Sequence, residues 1–169
     1  MPDLLTHVLI GYSIGTLLSV RYERVRSAQV TLVMVGALSP DFRKIGLLIP
    51  NSTLQMVTGS PISWTPLHTL GGSVIVVLLG SLLVAPEFRR QVVVLTAIGA
   101  ASHHTLDVAL LTATGEAYAV FFPISMYRPP SPGLYLSTDR WPAAVAGVLA
   151  AVSWAVRRYG VTGPLQLSD

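Results

Sequence analysis

Apolar and polar residues alternate in long blocks along this chain, and five blocks are predominantly apolar. A membrane-spanning helix needs roughly 20 apolar residues; the third and fourth blocks reach that length and the first nearly does. The second block is cut by Ser39-Pro40-Asp41, so it spans only with the help of apolar residues 45–49 or stops partway across. The pattern predicts an all-α, polytopic membrane protein with about five transmembrane or membrane-embedded helices. These helices are predicted at residues 4–20, 28–38, 67–84, 92–113 and 141–156.

Two stretches between the apolar blocks have the composition of loops. Residues 51–66 are polar and residues 123–140 are rich in proline, so neither is predicted to form a continuous helix. Within the first block, Gly11 and Gly15 form a G-x-x-x-G pattern, which permits close contact between membrane helices. Incidental glycine in a membrane helix explains so short a match equally well.

The overall composition supports a membrane protein with one domain, residues 1–169. Hydrophobic residues make up 51% of the chain, charged residues 11%, and the mean hydropathy is +0.61, whereas an ordinary soluble domain has about 25% charged residues. The net charge is +3, but the Lys and Arg residues lie between apolar blocks and form no basic patch, so no nucleic-acid partner is expected. The chain has no cysteine, which leaves His, Asp and Glu as the available metal ligands.

The positions of Lys and Arg predict the orientation in the membrane. Arg21, Arg24 and Arg26 follow the first apolar block directly, and no positive charge precedes it, so it does not have the pattern of a cleavable signal peptide. Because positive loops stay inside, the N-terminus is predicted outside. The protein is thus expected to be a multi-pass protein of the cell membrane.

Histidine and aspartate occur inside these apolar blocks, where they are costly. A charge at the centre of a membrane helix costs about 2.5–3.5 kcal/mol on insertion scales, so such residues are usually paired, functional, or both. The orientation derived from Lys and Arg alone places five of them toward the outer face. These five are His7, Asp41, His68, His103 and Asp107.

His103 and Asp107 are four residues apart, which places them on one face of a helix. That spacing allows both side chains to bind one metal ion, and it equally allows a buried hydrogen bond that ties helices together. His104 points to the other side of Asp107 and is either a hydrogen-bond partner behind the ligands or a ligand of another ion. For Asp41 the simpler alternative is a cap on a helix that begins at Phe42.

Two carboxylates with two or three imidazoles are a suitable ligand set for Zn²⁺ or Mn²⁺. Four positive residues share the predicted outer face and are candidates to hold a phosphate, although snorkelling at the membrane interface explains each of them as well. The four are Arg43, Lys44, Arg128 and Arg140.

Several short motifs in a fixed order resemble a known family. They are Thr6-His7, Gly36-Ala37-Leu38-Ser39-Pro40-Asp41, Pro66-Leu67-His68-Thr69 and Ser102-His103-His104-Thr105-Leu106-Asp107. Over roughly residues 1–126 the chain resembles the membrane-bound metal-dependent hydrolases, also described as LexA-binding, inner membrane-associated hydrolases, and most of all their archaeal members. That family is distantly similar to zinc-dependent phospholipase C.

The resemblance implies that Asp41, His68, His103 and Asp107 hold a metal, with His7 close to it. The chain departs from the family in having one histidine, His68, around the third motif. It also lacks the H-x-x-x-E helix of the phospholipases, and these departures favour one or two ions over three.

Three functions are compatible with these residues. The first is a metal-dependent hydrolase acting on a phosphoester such as a lipid head group at the outer face, in which the metal activates water and His7 or Asp41 takes the proton. The second is a non-catalytic membrane protein with a structural His/Asp cluster. The third is an ion conduit, which is disfavoured because the third and fourth blocks offer few polar residues toward the inner face.

Overall fold

A computed structural model describes residues 4–160, and this part of the chain is helical. It contains six α-helices and two 3₁₀ helices, η1 and η2. Apart from two isolated β-bridges, residues 4–160 contain no strands, so the all-α class is confirmed. In chain order the elements are α1 (Leu4–Arg21), α2 (Ser27–Leu38), η1 (Ser39–Leu47), α3 (Asn51–Thr58), η2 (Thr65–His68), α4 (Leu70–Leu82), α5 (Pro86–Val108) and α6 (Trp141–Tyr159).

The packing order of the helices determines which of their ends meet. The helix α1 packs on α2 and α6, while α5 packs on α2 and α4. Short connections, residues 22–26 and 83–85, make α1 antiparallel to α2 and α4 antiparallel to α5. Residues 39–69 join α2 to α4, and the contact of His68 with the Pro40 carbonyl keeps the start of α4 beside the end of α2. As a result, the start of α1, the end of α2, the start of α4 and the end of α5 lie at the same end of the bundle, and this end is called the site end below.

The helices α2 and α5 are in close backbone contact. A Cβ atom added at Gly36 would lie 2.1 Å from the carbonyl oxygen of Thr96, and one added at Gly99 would lie 2.1 Å from that of Val33. These two glycines therefore allow backbone-to-backbone contact. The Gly11–Gly15 pattern also faces a neighbour, because Cβ atoms there would lie 3.0–3.1 Å from atoms of α2.

The bundle buries small polar side chains and exposes large apolar ones. This distribution is expected for helices packed in lipid, where polar residues stabilise helix contacts and apolar residues face the membrane. The buried group includes Ser13, Thr16, Ser73, Ser81, Thr96 and Ser153, and the exposed face of α4 carries Val74, Ile75, Leu78, Leu79 and Leu82. Within residues 4–160, α1 alone is long and apolar enough to cross a membrane by length and composition, and α4 is a shorter apolar helix. The number of membrane spans remains a prediction.

Three predicted segments differ from the structure. The third predicted helix, 67–84, is α4 (Leu70–Leu82), and His68 belongs to η2 before it. Residues 51–58 form the helix α3 instead of a loop, because Pro50 precedes the first turn and Gly59, at φ 66°, ends it in a left-handed conformation. The fourth predicted helix begins at Pro86 and ends at Val108, since the backbone at Ala109 and Leu111 hydrogen-bonds to residues 134 and 135 instead of continuing the helix. The proline-rich residues 123–140 contain no helix, as predicted.

The membrane orientation can be tested by labelling cysteine variants in intact cells. We expect an impermeant thiol reagent to label Ser52→Cys in α3 from outside and to leave Ser27→Cys at the start of α2 unlabelled until the cells are opened. Both positions are exposed and the chain has no cysteine of its own, so the label reports the sidedness of these two positions. Labelling of Ser27→Cys alone from outside would reverse the predicted orientation.

Candidate metal centre

Five potential metal ligands meet inside the site end of the bundle. α1 contributes His7, η1 contributes Asp41, η2 contributes His68, and α5 contributes His103 and Asp107. All five are buried, and His7 and His103 are fully so. The structure thus brings together every residue of the predicted ligand set, although Asp41 lies in the first turn of η1 and is not the cap of a helix beginning at Phe42.

Asp107 lies between the three imidazoles. Its Oδ2 atom is 2.8 Å from His68 Nε2 and 3.3 Å from His103 Nε2, and its Oδ1 atom is 3.5 Å from His7 Nε2. Asp41 joins from the other side, because its carboxylate and ring nitrogens of His68 and His103 all lie within 4.8 Å of one another. The His7 ring stacks on His103 with centroids 3.8 Å apart.

Backbone carbonyls fix the tautomers of two of these histidines. His103 Nδ1 is 2.7 Å from the carbonyl oxygen of Ala37, and His68 Nδ1 is 3.1 Å from that of Pro40. A carbonyl only accepts, so Nδ1 carries the proton and Nε2 is left with a lone pair. In a 3₁₀ helix the carbonyl of Ala37 would accept a hydrogen bond from the backbone N–H of residue 40. That residue is Pro40, which has no N–H, so the carbonyl can accept one from His103. Such orientation of one ring nitrogen is typical of metal-bound histidine.

The atoms that converge have no hydrogen-bond partners among the described residues. At the centre, six buried atoms have no hydrogen-bond partner within residues 4–160: His103 Nε2, Asp41 Oδ1, both carboxylate oxygens of Asp107 and both ring nitrogens of His7. Lone pairs that face each other repel, and buried polar atoms without partners are costly. A cation between them removes both penalties. Two ligands held 2.0–2.2 Å from a shared ion lie about 3–3.5 Å apart, so the observed spacings fit a divalent metal.

The geometry favours one ion. The two possible three-residue groups are His7–His103–Asp107 and Asp41–His68–His103. They share His103, whose Nδ1 is occupied by the Ala37 carbonyl. Both groups therefore depend on the same Nε2 atom and describe one centre.

His104 stands outside this centre. Its Nε2 is 2.8 Å from Ser73 Oγ and its Nδ1 is 2.5 Å from the hydroxyl of Tyr118. Burial, and then the Asp107 carboxylate, raise the pKa of Tyr118, so this hydroxyl keeps its proton and can donate to His104. Both ring nitrogens of His104 are thus occupied by hydrogen bonds within the protein and are not available to an ion in the centre.

We expect His103→Ala to abolish metal retention and His104→Ala to lower metal affinity by about tenfold at most, the lower end of the effect of changing residues behind the ligands. The measurement is metal per chain by elemental analysis after dialysis. The two residues are neighbours on the same helix, so each variant is the control for the other. A protein that loses its metal through His104→Ala alone would show that the ligand assignment is wrong.

Tyr118 was not identified from the sequence. Its ring centroid lies 4.7 Å from that of His68, and its loop is held against the start of α4 by hydrogen bonds from the Leu70 and Gly71 amides to the Val120 and Phe122 carbonyls. It lies in a non-helical stretch without hydrophobic periodicity, so no pattern along the chain indicates that this tyrosine returns to the centre.

A cavity of about 400 Å³ opens beside His68. Its lining includes Tyr118 and two of the four predicted phosphate ligands, Arg43 and Arg128. The other two lie elsewhere: Lys44 Nζ is 2.7 Å from Asp41 Oδ2, and Arg140 precedes α6 outside this lining. The basic residues therefore do not form one cluster.

A family model matches almost the whole sequence. Residues 1–165 match the model of the YdjM inner membrane protein. The chain belongs to this family. The family's description supports a membrane protein of the cell membrane, in agreement with the apolar blocks and the inner-membrane part of the resemblance. No curated protein and no solved structure matches the chain significantly.

Proposed function

We propose that this YdjM-family protein is a metal-dependent hydrolase of a phosphoester, and that its substrate is a lipid head group at the outer face of the membrane. The observation that carries the proposal is the convergence of unpartnered carboxylate and imidazole atoms on one buried point. Oxygen and imidazole donors without thiolate suit Zn²⁺ or Mn²⁺. Either ion, when bound, polarises a phosphoryl oxygen and makes water a stronger nucleophile at neutral pH.

In this proposal four residues hold the ion: His7, His68, His103 and Asp107. His7 is fully buried and stacked on His103, which suits a ligand better than a base that must reach substrate. Asp41 is the better proton acceptor, because its Oδ1 atom has no partner and its Oδ2 atom is oriented by Lys44. Hydrolysis forms a phosphorus–oxygen bond from water and breaks one ester bond; Asp41 takes the proton released by water, and the departing alcohol takes one up.

The cavity beside His68 binds the head group in this proposal. Arg43 and Arg128 line it, and a guanidinium can bind a phosphate through two parallel N–H groups. The Tyr118 hydroxyl and ring close the side of the cavity toward His104. In this proposal the two guanidinium groups supply positive charge to the non-reacting oxygens of the phosphoester, on which negative charge accumulates.

The alternative is a structural ion in a non-catalytic membrane protein. The observation that favours it is the number of donors, since five protein ligands can fill the position that a catalytic zinc keeps open for water. In that case the ion holds α1, η1, η2 and α5 together without turnover.

The test is turnover by purified protein loaded with Zn²⁺ or Mn²⁺ in lipid nanodiscs. The substrates are mixed membrane phospholipids and bis-p-nitrophenyl phosphate, a phosphodiester without a lipid tail. We expect release of product that falls by about 100-fold or more in Asp41→Asn, the usual lower range for losing a general base, with the metal retained. Glu87→Gln, an exposed carboxylate at the opposite end of α5, is the control and should keep full activity. Full metal occupancy without turnover of either substrate would favour the structural alternative.

A further inference from the structure

A groove between α1 and η1 meets the metal centre at one of its donors, Asp41. Its volume is about 630 Å³, within the size range of small-molecule sites. It differs from the cavity beside His68 in having an almost wholly apolar lining. This lining includes Leu5, Val8, Leu38, Phe42, Ile45 and Leu48.

The groove has a polar end, and that end belongs to the metal centre. Asp41 and Lys44 are its charged lining residues. Asp41 is 3% exposed, and its Oδ1 atom is buried without a hydrogen-bond partner. The Asp41 carboxylate therefore connects the apolar groove to the histidines that it approaches in the centre.

The exposed apolar face of α4 differs from the groove in this respect. The exposed face of α4 is apolar but carries no buried carboxylate. A ligand of the groove must therefore have a long apolar part and a polar group at one end that tolerates Asp41 and Lys44. The arginine-lined cavity reaches the same centre through His68, and it suits the anionic part of such a molecule.

We propose that the α1–η1 groove holds a hydrocarbon chain of the lipid substrate while the head group occupies the arginine-lined cavity, so that the phosphoester between them lies at the metal centre. This inference rests on the proposed hydrolase function and specifies its substrate: a phospholipid cleaved on the head-group side of its hydrocarbon chains. It assigns binding of the apolar part to Leu5 and Ile45.

A homologous series of soluble substrates tests the groove through turnover. The series is methyl, butyl and hexyl p-nitrophenyl phosphate, assayed with metal-loaded protein in nanodiscs. Each CH₂ group moved from water into an apolar site improves binding by roughly fourfold at the limit. We expect kcat/KM for the hexyl ester to exceed that for the methyl ester by about tenfold or more in the wild type. Ile45→Trp and Leu5→Trp, which fill the groove, should bring this ratio close to one.

Val74→Trp is the matched control, because Val74 is 49% exposed on α4 and does not line the groove. It should keep the wild-type ratio. Because the ratio compares two esters on one protein, a change in metal content or in the fraction of folded protein cancels. A wild-type ratio near one, with the methyl ester turned over, would overturn the groove assignment and leave the hydrolase proposal standing.

Photolabelling tests the groove without turnover. The probe is hexadecyl phosphate with a diazirine in its chain, and the labelled peptides are identified by mass spectrometry. We expect label on residues 4–8 and 42–48 in the wild type and its loss in Ile45→Trp. Such labelling without turnover of any ester would show a lipid site and contradict the hydrolase proposal. Label spread evenly over the lipid-facing helices, or cross-links from the groove to a second chain, would overturn the groove assignment.

Discussion

Asp107→Asn is expected to lower the affinity for Zn²⁺ or Mn²⁺ by about 100-fold or more. Changing a residue behind the ligands typically costs about 10–100-fold, and losing a ligand should cost at least as much. Asp107 is the carboxylate that three imidazoles approach within 2.8–3.5 Å. The amide keeps the shape of the side chain but removes the negative charge, so the imidazole lone pairs lose their anionic co-ligand. Metal titration followed by elemental analysis measures the loss.

The same change should remove most of the thermal stabilisation that the metal provides. A ligand at about 100 times its dissociation constant stabilises the folded state by about 2.7 kcal/mol, and at the same metal concentration a roughly 100-fold weaker affinity leaves about 0.4 kcal/mol of it. Glu87→Gln on the same helix is the control and should melt like the wild type with and without metal. One tightly bound ion per chain in Asp107→Asn would exclude Asp107 as a ligand.

Gly99→Ala is expected to destabilise the bundle by about 1–3 kcal/mol or more, which is the usual cost of overpacking a core. The added methyl group would lie 2.1 Å from the Val33 carbonyl oxygen, so α2 and α5 must move apart. The movement also draws the Ala37 carbonyl away from His103 Nδ1, and metal affinity should fall together with stability.

The control for Gly99→Ala is Gly80→Ala in α4, where an added Cβ atom has no neighbour within 4 Å. There the better helix propensity of alanine should leave stability unchanged or raise it by up to about 1 kcal/mol. Thermal unfolding followed by circular dichroism, with and without Zn²⁺, measures both variants. Equal melting temperatures for Gly99→Ala and the wild type would show that the close α2–α5 contact is wrong.

The sequence predicted the long helices and the five donors because both depend on local features. Apolar blocks gave α1, α2, α4 and α6 to within a few residues, and the cost of charge in an apolar block singled out His7, Asp107 and the rest of the ligand set. The short connections within the α1–α2 and α4–α5 pairs then make each pair antiparallel, so that the donor-bearing ends of each pair lie together. These steps need no knowledge of side-chain packing.

The features that the sequence did not predict depend on contacts between distant residues. Gly36 and Gly99 are isolated glycines in different helices, and their mutual fit appears only when α2 and α5 are in contact. Tyr118 reaches the centre because its loop bonds to the start of α4. The short helix α3 was predicted as a loop because its residues are polar, although Pro50 and Gly59 mark its ends.

The positions of the donors along the chain also determine when the complete ligand set is available during synthesis. The last donor, Asp107, belongs to α5, whereas α6 supplies none and packs on α1. At usual elongation rates of about 5–20 residues per second, roughly 3–10 seconds separate the synthesis of the end of α5 from that of the end of α6. During that interval all five donors have been synthesised, while the flank of α1 that α6 later covers has no protein neighbour from α6. Capture of the ion at that stage would tie residues 7 to 107 together, and α6 would then dock on a preformed surface.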